Sequence, residues 1–205
     1  IVVFLVLTAL VAGHWAPLLT LDTNVDAAVH QFALSHGWVR PVALVVTDLG
    51  SPVAVDVVAA VAAIALLVAR HWPAAVAVVV ARFGELAVET AVKALVDRGR
   101  PVFSQPLATA GGASFPSGHT AGSAALYGIL ILMCAPVLTR GWRLLVVVAG
   151  TVFVLAVGAS RVVLGVHYLS DVVAGLALGL VWAAGTLTLV AVVVARTGPR
   201  AFFKP

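Results

Sequence analysis

Hydrophobic residues in this chain come in long unbroken runs: Ile1 to about Trp15, Ser51–Ala69, Pro73–Val92, Ser117–Val137, Trp142–Gly158 and Asp171–Ala195 are almost wholly apolar. An α-helix needs about 20 such residues to cross the hydrocarbon core of a bilayer. The pattern therefore predicts an all-α, polytopic membrane protein with six transmembrane helices, in one domain spanning residues 1–205. The first run starts abruptly at Ile1, which is not an initiator Met, so the N-terminus reads as truncated. Composition excludes a water-soluble domain: 62% of residues are hydrophobic, 10% are charged and the mean hydropathy is +1.15. No internal repeat or low-complexity tract is present.

Six crossings sort the connections onto two sides. Arg70, Arg140, Arg143, Arg196, Arg200 and Lys204 fall on one side with no acidic residue, which the positive-inside rule assigns to the cytoplasm. The other side holds Asp22, Asp26, Asp48, Asp97 and Asp171, but also Arg40, Lys93, Arg98, Arg100 and Arg161, cations that breach the rule unless they have a task there. A plasma-membrane protein with its chemistry on the extracytoplasmic side is the expectation. Residues 22–48 read as a polar outer segment lying along the surface, with Pro41 breaking any helix, and Gly99–Phe115 reads as a loop. The net charge of +4 is not gathered into a basic stripe, so no nucleic-acid partner is expected. Cys134 is a lone thiol inside a span and Trp182 reads as packing.

Three clusters fall at outer ends of spans and so meet on one face: Lys93 to Arg100-Pro101, Phe115-Pro116-Ser117-Gly118-His119, and Ser160-Arg161 to His167 and Asp171. Lys93, Arg100 and Arg161 are three fixed cations, enough to neutralise a phosphate and the charge that develops on its oxygens during transfer, so no metal cofactor is required. No pair of His, Glu or Cys has metal-ligand spacing. Pro116-Ser117-Gly118-His119 reads as a helix start, with Ser117 at the cap, Gly118 allowing close backbone approach and free N–H groups forming an anion site. Asp171 lies one helical turn beyond His167, where its carboxylate holds one ring nitrogen as N–H and leaves the other to attack phosphorus; His167 is thus the expected nucleophile. His119 is then the acid for the leaving alkoxide and the base for water. Arg98 and Asp97 stay outside this set, as a solvated pair or a phosphate contact, and His14, His30, His36 and His71 read as ordinary interfacial or loop histidines.

The succession K-x6-R-P, P-S-G-H and S-R-x5-H-x3-D, running from Lys93 to Asp171, resembles the type 2 phosphatidic acid phosphatase (PAP2) superfamily at every fixed position. The resemblance implies a six-helix membrane phosphatase with its site at the extracytoplasmic face. Lys93, Arg100, Ser117, Gly118, Arg161, His119, His167 and Asp171 would be the functional positions. A lipid phosphate is the implied substrate, with a polyprenyl phosphate or diphosphate favoured over phosphatidate or phosphatidylglycerol phosphate. A vanadium-dependent haloperoxidase and a non-catalytic lipid transporter are the readings from other classes.

The third run adds one more feature. Arg82, Glu85, Glu89 and Lys93 recur at intervals of three, four and four, which lines them on one helical face. Charges at that depth must point into the bundle and pair among themselves or with Asp56, and Glu89 is the expected partner that orients Lys93.

Overall fold

The computed structural model describes residues 1–197, so Arg200 and Lys204, placed above on the cytoplasmic side, lie outside the described residues. Its helices are α1 (Val2–Ala12), α2 (Ala16–Ser35), α3 (Val39–Leu49), α4 (Pro52–Val68), α5 (Trp72–Val79), α6 (Glu85–Val96), α7 (Gly118–Cys134), α8 (Arg140–Val163) and α9 (Leu169–Thr197), with a π-helical turn, Val80–Gly84, joining α5 to α6. The protein is all-helical among these residues. Four stretches are long and apolar enough to cross a membrane: Val39–Val68, Gly118–Val137, Arg140–Val163 and Leu169–Arg196. Counting α1 and α2 as one bent span makes five, not the six expected. The shortfall is the helical run from Trp72 to Val96, whose four charges set it apart from an ordinary apolar span.

Two boundaries differ from the sequence reading for identifiable reasons. Pro41 does not break a helix; it sits in the first turn of α3, where a missing N–H costs nothing because that donor has no intrahelical acceptor. The second span consequently begins at Val39 rather than Ser51. At the α3–α4 junction Ser51 caps α4, accepting from the Ala54 N–H at 3.3 Å. The outer segment is also helical, since α2 leaves α1 at 96°. Its buried positions, Leu18, Asp22, Asp26, His30 and Ala33, follow one helical face. That face is polar and turned into the protein, the reverse of a helix resting on lipid.

The charged stripe also faces inward. Arg82, Glu85 and Glu89 are buried. Arg82 Nε donates to Asp56 Oδ1 at 2.6 Å, Arg82 Nη1 lies 3.6 Å from Glu85 Oε2, and Lys93 Nζ stands 2.6 Å from Glu89 Oε1. Pairing within the bundle is what makes ionic side chains tolerable at membrane depth. The π turn has a distant partner: Trp182 Nε1 donates to the Val80 carbonyl at 3.0 Å, and its ring lies against Gly84, where an added Cβ would be 2.5 Å from Cζ2. Trp182 is therefore more than packing, because it binds a carbonyl at the point where an extra residue disturbs the helical ladder.

The α7–α9 contact fixes the end of the bundle that carries the sequence clusters. Gly175 and Gly179, spaced as in a small-residue helix-pairing motif, let the two backbones approach until a Cβ on Gly175 would lie 2.6 Å from the Ser117 carbonyl and one on Gly179 would lie 2.8 Å from the Ala125 nitrogen. Ala121, Ala124 and Ala125 on α7 and Ala183 on α9 are wholly buried along this seam. Without hydrophobic drive between helices in lipid, such close van der Waals contact is the main cohesive force. At one end of this seam the Ser117 N–H donates to the Asp171 carbonyl at 3.0 Å, bringing the second and third sequence clusters together.

Candidate active site

Each sequence cluster reaches the site through a different local device. The α8 C-terminus closes with a left-handed Gly165 (φ 68°), and the Val166 N–H returns to the Arg161 carbonyl, so the chain reverses within a few residues. His167 stands in that turn rather than on α9, which corrects the helical-face argument used to pair it with Asp171. The approach comes instead from a cap: Asp171, in the first turn of α9, reaches back to accept from the Tyr168 N–H at 3.0 Å. The same Oδ2 atom lies 3.4 Å from His167 Nδ1. That is an ion-pair distance but not a formed hydrogen bond, and Nδ1 has no other partner.

The opposite ring nitrogen faces Arg100. Arg100 Nη1 lies 3.1 Å from His167 Nε2 and donates to the Val166 carbonyl at 2.7 Å. Since an arginine has no acceptor, Nε2 must present its lone pair, leaving the proton on Nδ1 beside Asp171. Burial drives the His167 pKa down to about 4; Asp171 opposes this, while Arg100 and Arg161 reinforce it. The ring is thus neutral at neutral pH. Burial also lowers the Arg100 pKa, with Asp171 and Glu89 partly offsetting it. The rest of the Arg100 guanidinium is held by the carbonyls of Gly111, Gly112 and Ala113, which ties the loop before α7 to the site.

Arg161 is buried and donates through Nη1 to Thr47 Oγ1 at 2.6 Å, leaving Nε without an acceptor. Ser117 occupies the N-cap position of α7, yet its side chain makes no cap bond; it accepts from Thr120 Oγ1 at 3.0 Å, and its own proton remains to be donated. Glu89 packs directly on Gly118, where an added Cβ would come within 2.8 Å of the carboxylate carbon, so Gly118 leaves room for Glu89 as well as for an anion. His119, in the first turn of α7, is half-buried, and Arg161, His167, Lys93 and Arg100 lie within its electrostatic reach. All nine expected positions, Lys93, Arg100, Ser117, Gly118, His119, Arg161, His167, Asp171 and Glu89, therefore gather at one end of the bundle. Among the described residues, no three His, Cys, Asp or Glu side chains cluster as metal ligands would.

Sequence reasoning missed three contributors. Thr47 anchors Arg161 from α3, in the stretch expected to lie along the membrane surface. Arg40 donates to the Leu107 carbonyl at 3.0 Å and so ties the outer loop to α3, which gives that cation its task. Asp97 and Arg98 form no solvated pair: Asp97 ends α6 exposed and left-handed (φ 44°), while Arg98 turns inward to Asp22 and Asp171.

The sequence model of the PAP2 superfamily matches residues 71–194. Phosphatidylglycerophosphatase B of Bacillus subtilis (strain 168) is 39% identical over 92 residues, 43% of this chain; the match spans 44% of that curated relative, less than half its length. The fold is similar to the crystal structure of a transmembrane PAP2-type phosphatidylglycerolphosphate phosphatase from Bacillus subtilis, with a TM-score of 0.81, 25% sequence identity and 91% of each chain covered.

Proposed function

This chain belongs to the PAP2 superfamily and is a multi-pass membrane protein, and from that premise we propose that it is a lipid phosphatase acting on phosphatidylglycerol phosphate through a phosphohistidine at His167, with no metal. The observation that carries the chemistry is the His167 ring: Nε2 faces Arg100 with its lone pair, and Nδ1 faces Asp171. In the first step the Nε2 lone pair attacks phosphorus, the P–O bond to the glycerol oxygen breaks, and His119 gives that oxygen a proton. In the second, His119 takes a proton from water as the water oxygen attacks phosphorus, the P–N bond breaks with its electron pair returning to Nε2, and inorganic phosphate leaves. Lys93, Arg100, the free Nε–H of Arg161, the Ser117 hydroxyl and the first N–H groups of α7 would hold the phosphate oxygens.

The substrate departs from the sequence-based preference for a polyprenyl phosphate. Both Bacillus subtilis relatives are named for phosphatidylglycerophosphate, and those names favour it here. A phosphate-release panel in detergent tests the choice: kcat/KM should be highest for phosphatidylglycerol phosphate, ahead of phosphatidate and undecaprenyl diphosphate. Orthovanadate should inhibit and EDTA should not. Activity lost on chelation and restored by Mg²⁺ would refute the metal-free chemistry, and a polyprenyl substrate leading the panel would restore the other choice.

Six crossings of the plasma membrane with the site outside complete the proposal. The Trp72–Val96 run supplies the sixth, its charges being paired inside the bundle, and Arg70, Arg140, Arg143 and Arg196 mark the cytoplasmic ends. Cysteines placed singly at Ala113 and Gly141 in a Cys134→Ser background should label differently with an impermeant maleimide on intact cells, Ala113 reacting first. Preferential labelling at Gly141 would invert the topology.

Glu89 would act by holding the Lys93 ammonium over the α7 N-terminus. Glu89→Gln keeps the shape and removes the charge, so phosphatase kcat/KM should fall about tenfold in a protein that remains folded. Unchanged kinetics in that variant would make the pair scaffolding only.

A further inference from the structure

The most heavily bonded carboxylate at the site is supported from behind by groups that the mechanism above does not use. Arg98 follows α6 and is nearly buried, and its guanidinium divides between two acids: Nη1 donates to Asp171 Oδ1 at 2.6 Å and Nη2 to Asp22 Oδ2 at 2.8 Å. Nη1 also reaches Ser170 Oγ at 2.8 Å, and the plane lies 4.0 Å from the centroid of the Tyr168 ring. Asp22, on α2, is 1% exposed. Its Oδ1 accepts from the Ser170 N–H at 2.9 Å and its Oδ2 from the Ser170 hydroxyl. That N–H is one of the orphan donors at the start of α9, so Asp22 caps a helix 148 residues away in sequence.

These bonds leave Asp171 with one orientation. Oδ1 belongs to Arg98, and Oδ2, shared with the Tyr168 N–H, is the atom that faces His167 Nδ1. Burial acts to lower the Arg98 pKa, but Asp171 and Asp22 outweigh it and hold the value above that of an ordinary arginine, so the cation is permanent. Without Arg98, two wholly buried carboxylates would lose their shared counter-charge and Asp171 would be free to rotate away from the imidazole. We propose that Arg98, itself fixed by Asp22, is a positioning residue for the reaction, acting through Asp171 on the orientation of His167; this rests on His167 being the nucleophile.

Arg98 also borders a cavity of about 350 Å³ between the α1–α2 bend and Arg100, lined in part by Leu19, Thr23 and Tyr168. Direct contact with substrate is therefore the competing role, and kinetics separate the two. Positioning predicts that Arg98→Gln lowers kcat by about tenfold to a hundredfold, as loss of an orienting partner does elsewhere, with KM and orthovanadate inhibition within about twofold of the parent. Arg98→Lys should recover part of kcat, because the charge returns without the fork that serves both acids. Asp22→Asn should lower kcat less, and the double variant Asp22→Asn/Arg98→Gln should be no worse than Arg98→Gln alone, since both act along one path.

A raised KM with kcat unchanged would overturn the proposal in favour of substrate contact, as would full activity in Arg98→Gln. Should Arg98→Gln fail to fold, the near-isosteric Asp22→Asn decides, and an unchanged kcat there is equally fatal. Loss of the nucleophile reading shows separately, as a His167→Ala protein that still turns over.

Discussion

His167→Ala is expected to reduce phosphate release from phosphatidylglycerol phosphate by about 10⁴-fold or more, the scale on which enzymes lose rate when a covalent nucleophile is deleted. The cations that would bind phosphate remain in that variant, so substrate should still bind and the loss should fall on kcat. The ring is suited to attack for reasons visible in its surroundings. Burial holds its pKa at about 4, so no proton competes for the Nε2 lone pair at neutral pH, while Asp171 stands ready for the charge that appears on the ring once phosphorus is bound. Because His167 is only 2% exposed, truncation leaves a cavity, and the nearer-isosteric His167→Asn should be tested beside it. Parent enzyme quenched in alkaline detergent should carry an acid-labile, base-stable phosphoryl label that both variants lack. Near-normal turnover in either folded variant would remove His167 from the mechanism.

The parts of this protein that were legible in the sequence are those set by short-range pattern. Apolar runs marked the spans from Ser117 onward to within a few residues, and Ser117-Gly118-His119 sits at a helix start as its residue types require. The stripe from Arg82 to Lys93 could be read as inward-facing because lipid admits no other solution, and Asp56 was found as its partner by depth. What stayed hidden depends on distant chain. Pro41 and the polar residues up to Asp48 make α3 read as a surface segment with a helix break, although a proline in a first turn is compatible with helix. The π turn has no local signature; its visible support is an indole 102 residues later. Arg98 and Asp22, 76 residues apart, obey no spacing rule, and only the close packing of α9 on α7 and α2 reveals why an arginine beside the motif is buried. The close approach of Gly175 and Gly179 to α7 is visible only in the packed helices.

The same cations bear on how a proton donor and a nucleophile could both be histidines in the proposed reaction. Burial disfavours a charge on the His167 ring, and the neighbouring Arg100 and Arg161 add to that effect; His119 lies within the field of the same cations. A bound phosphate brings negative charge into that field. In the proposed reaction substrate would therefore promote protonation of the histidine that acts as acid, while Arg100 on Nε2 and Asp171 by Nδ1 would keep the other ring in its attacking tautomer.

That division sets the second large effect. His119→Asn is expected to lower kcat with phosphatidylglycerol phosphate by about 10²-fold to 10⁴-fold, the usual contribution of a positioned general acid or base. The loss should depend on the leaving group. A glycerol alkoxide is a poor leaving group and needs its proton in the first step, whereas p-nitrophenolate leaves without one. With p-nitrophenyl phosphate the variant should therefore form the phosphoenzyme at close to the parent rate, then stall, because hydrolysis of the P–N bond still needs a base for water. A rapid-quench experiment should show a burst of p-nitrophenol near one equivalent per enzyme, followed by slow turnover and accumulation of label on His167. His119 is half-buried in the first turn of α7 and its side chain makes no hydrogen bond among the described residues, so the fold should survive. No burst, with the first step slowed equally for both substrates, would mean that His119 only binds phosphate and that another group supplies the proton.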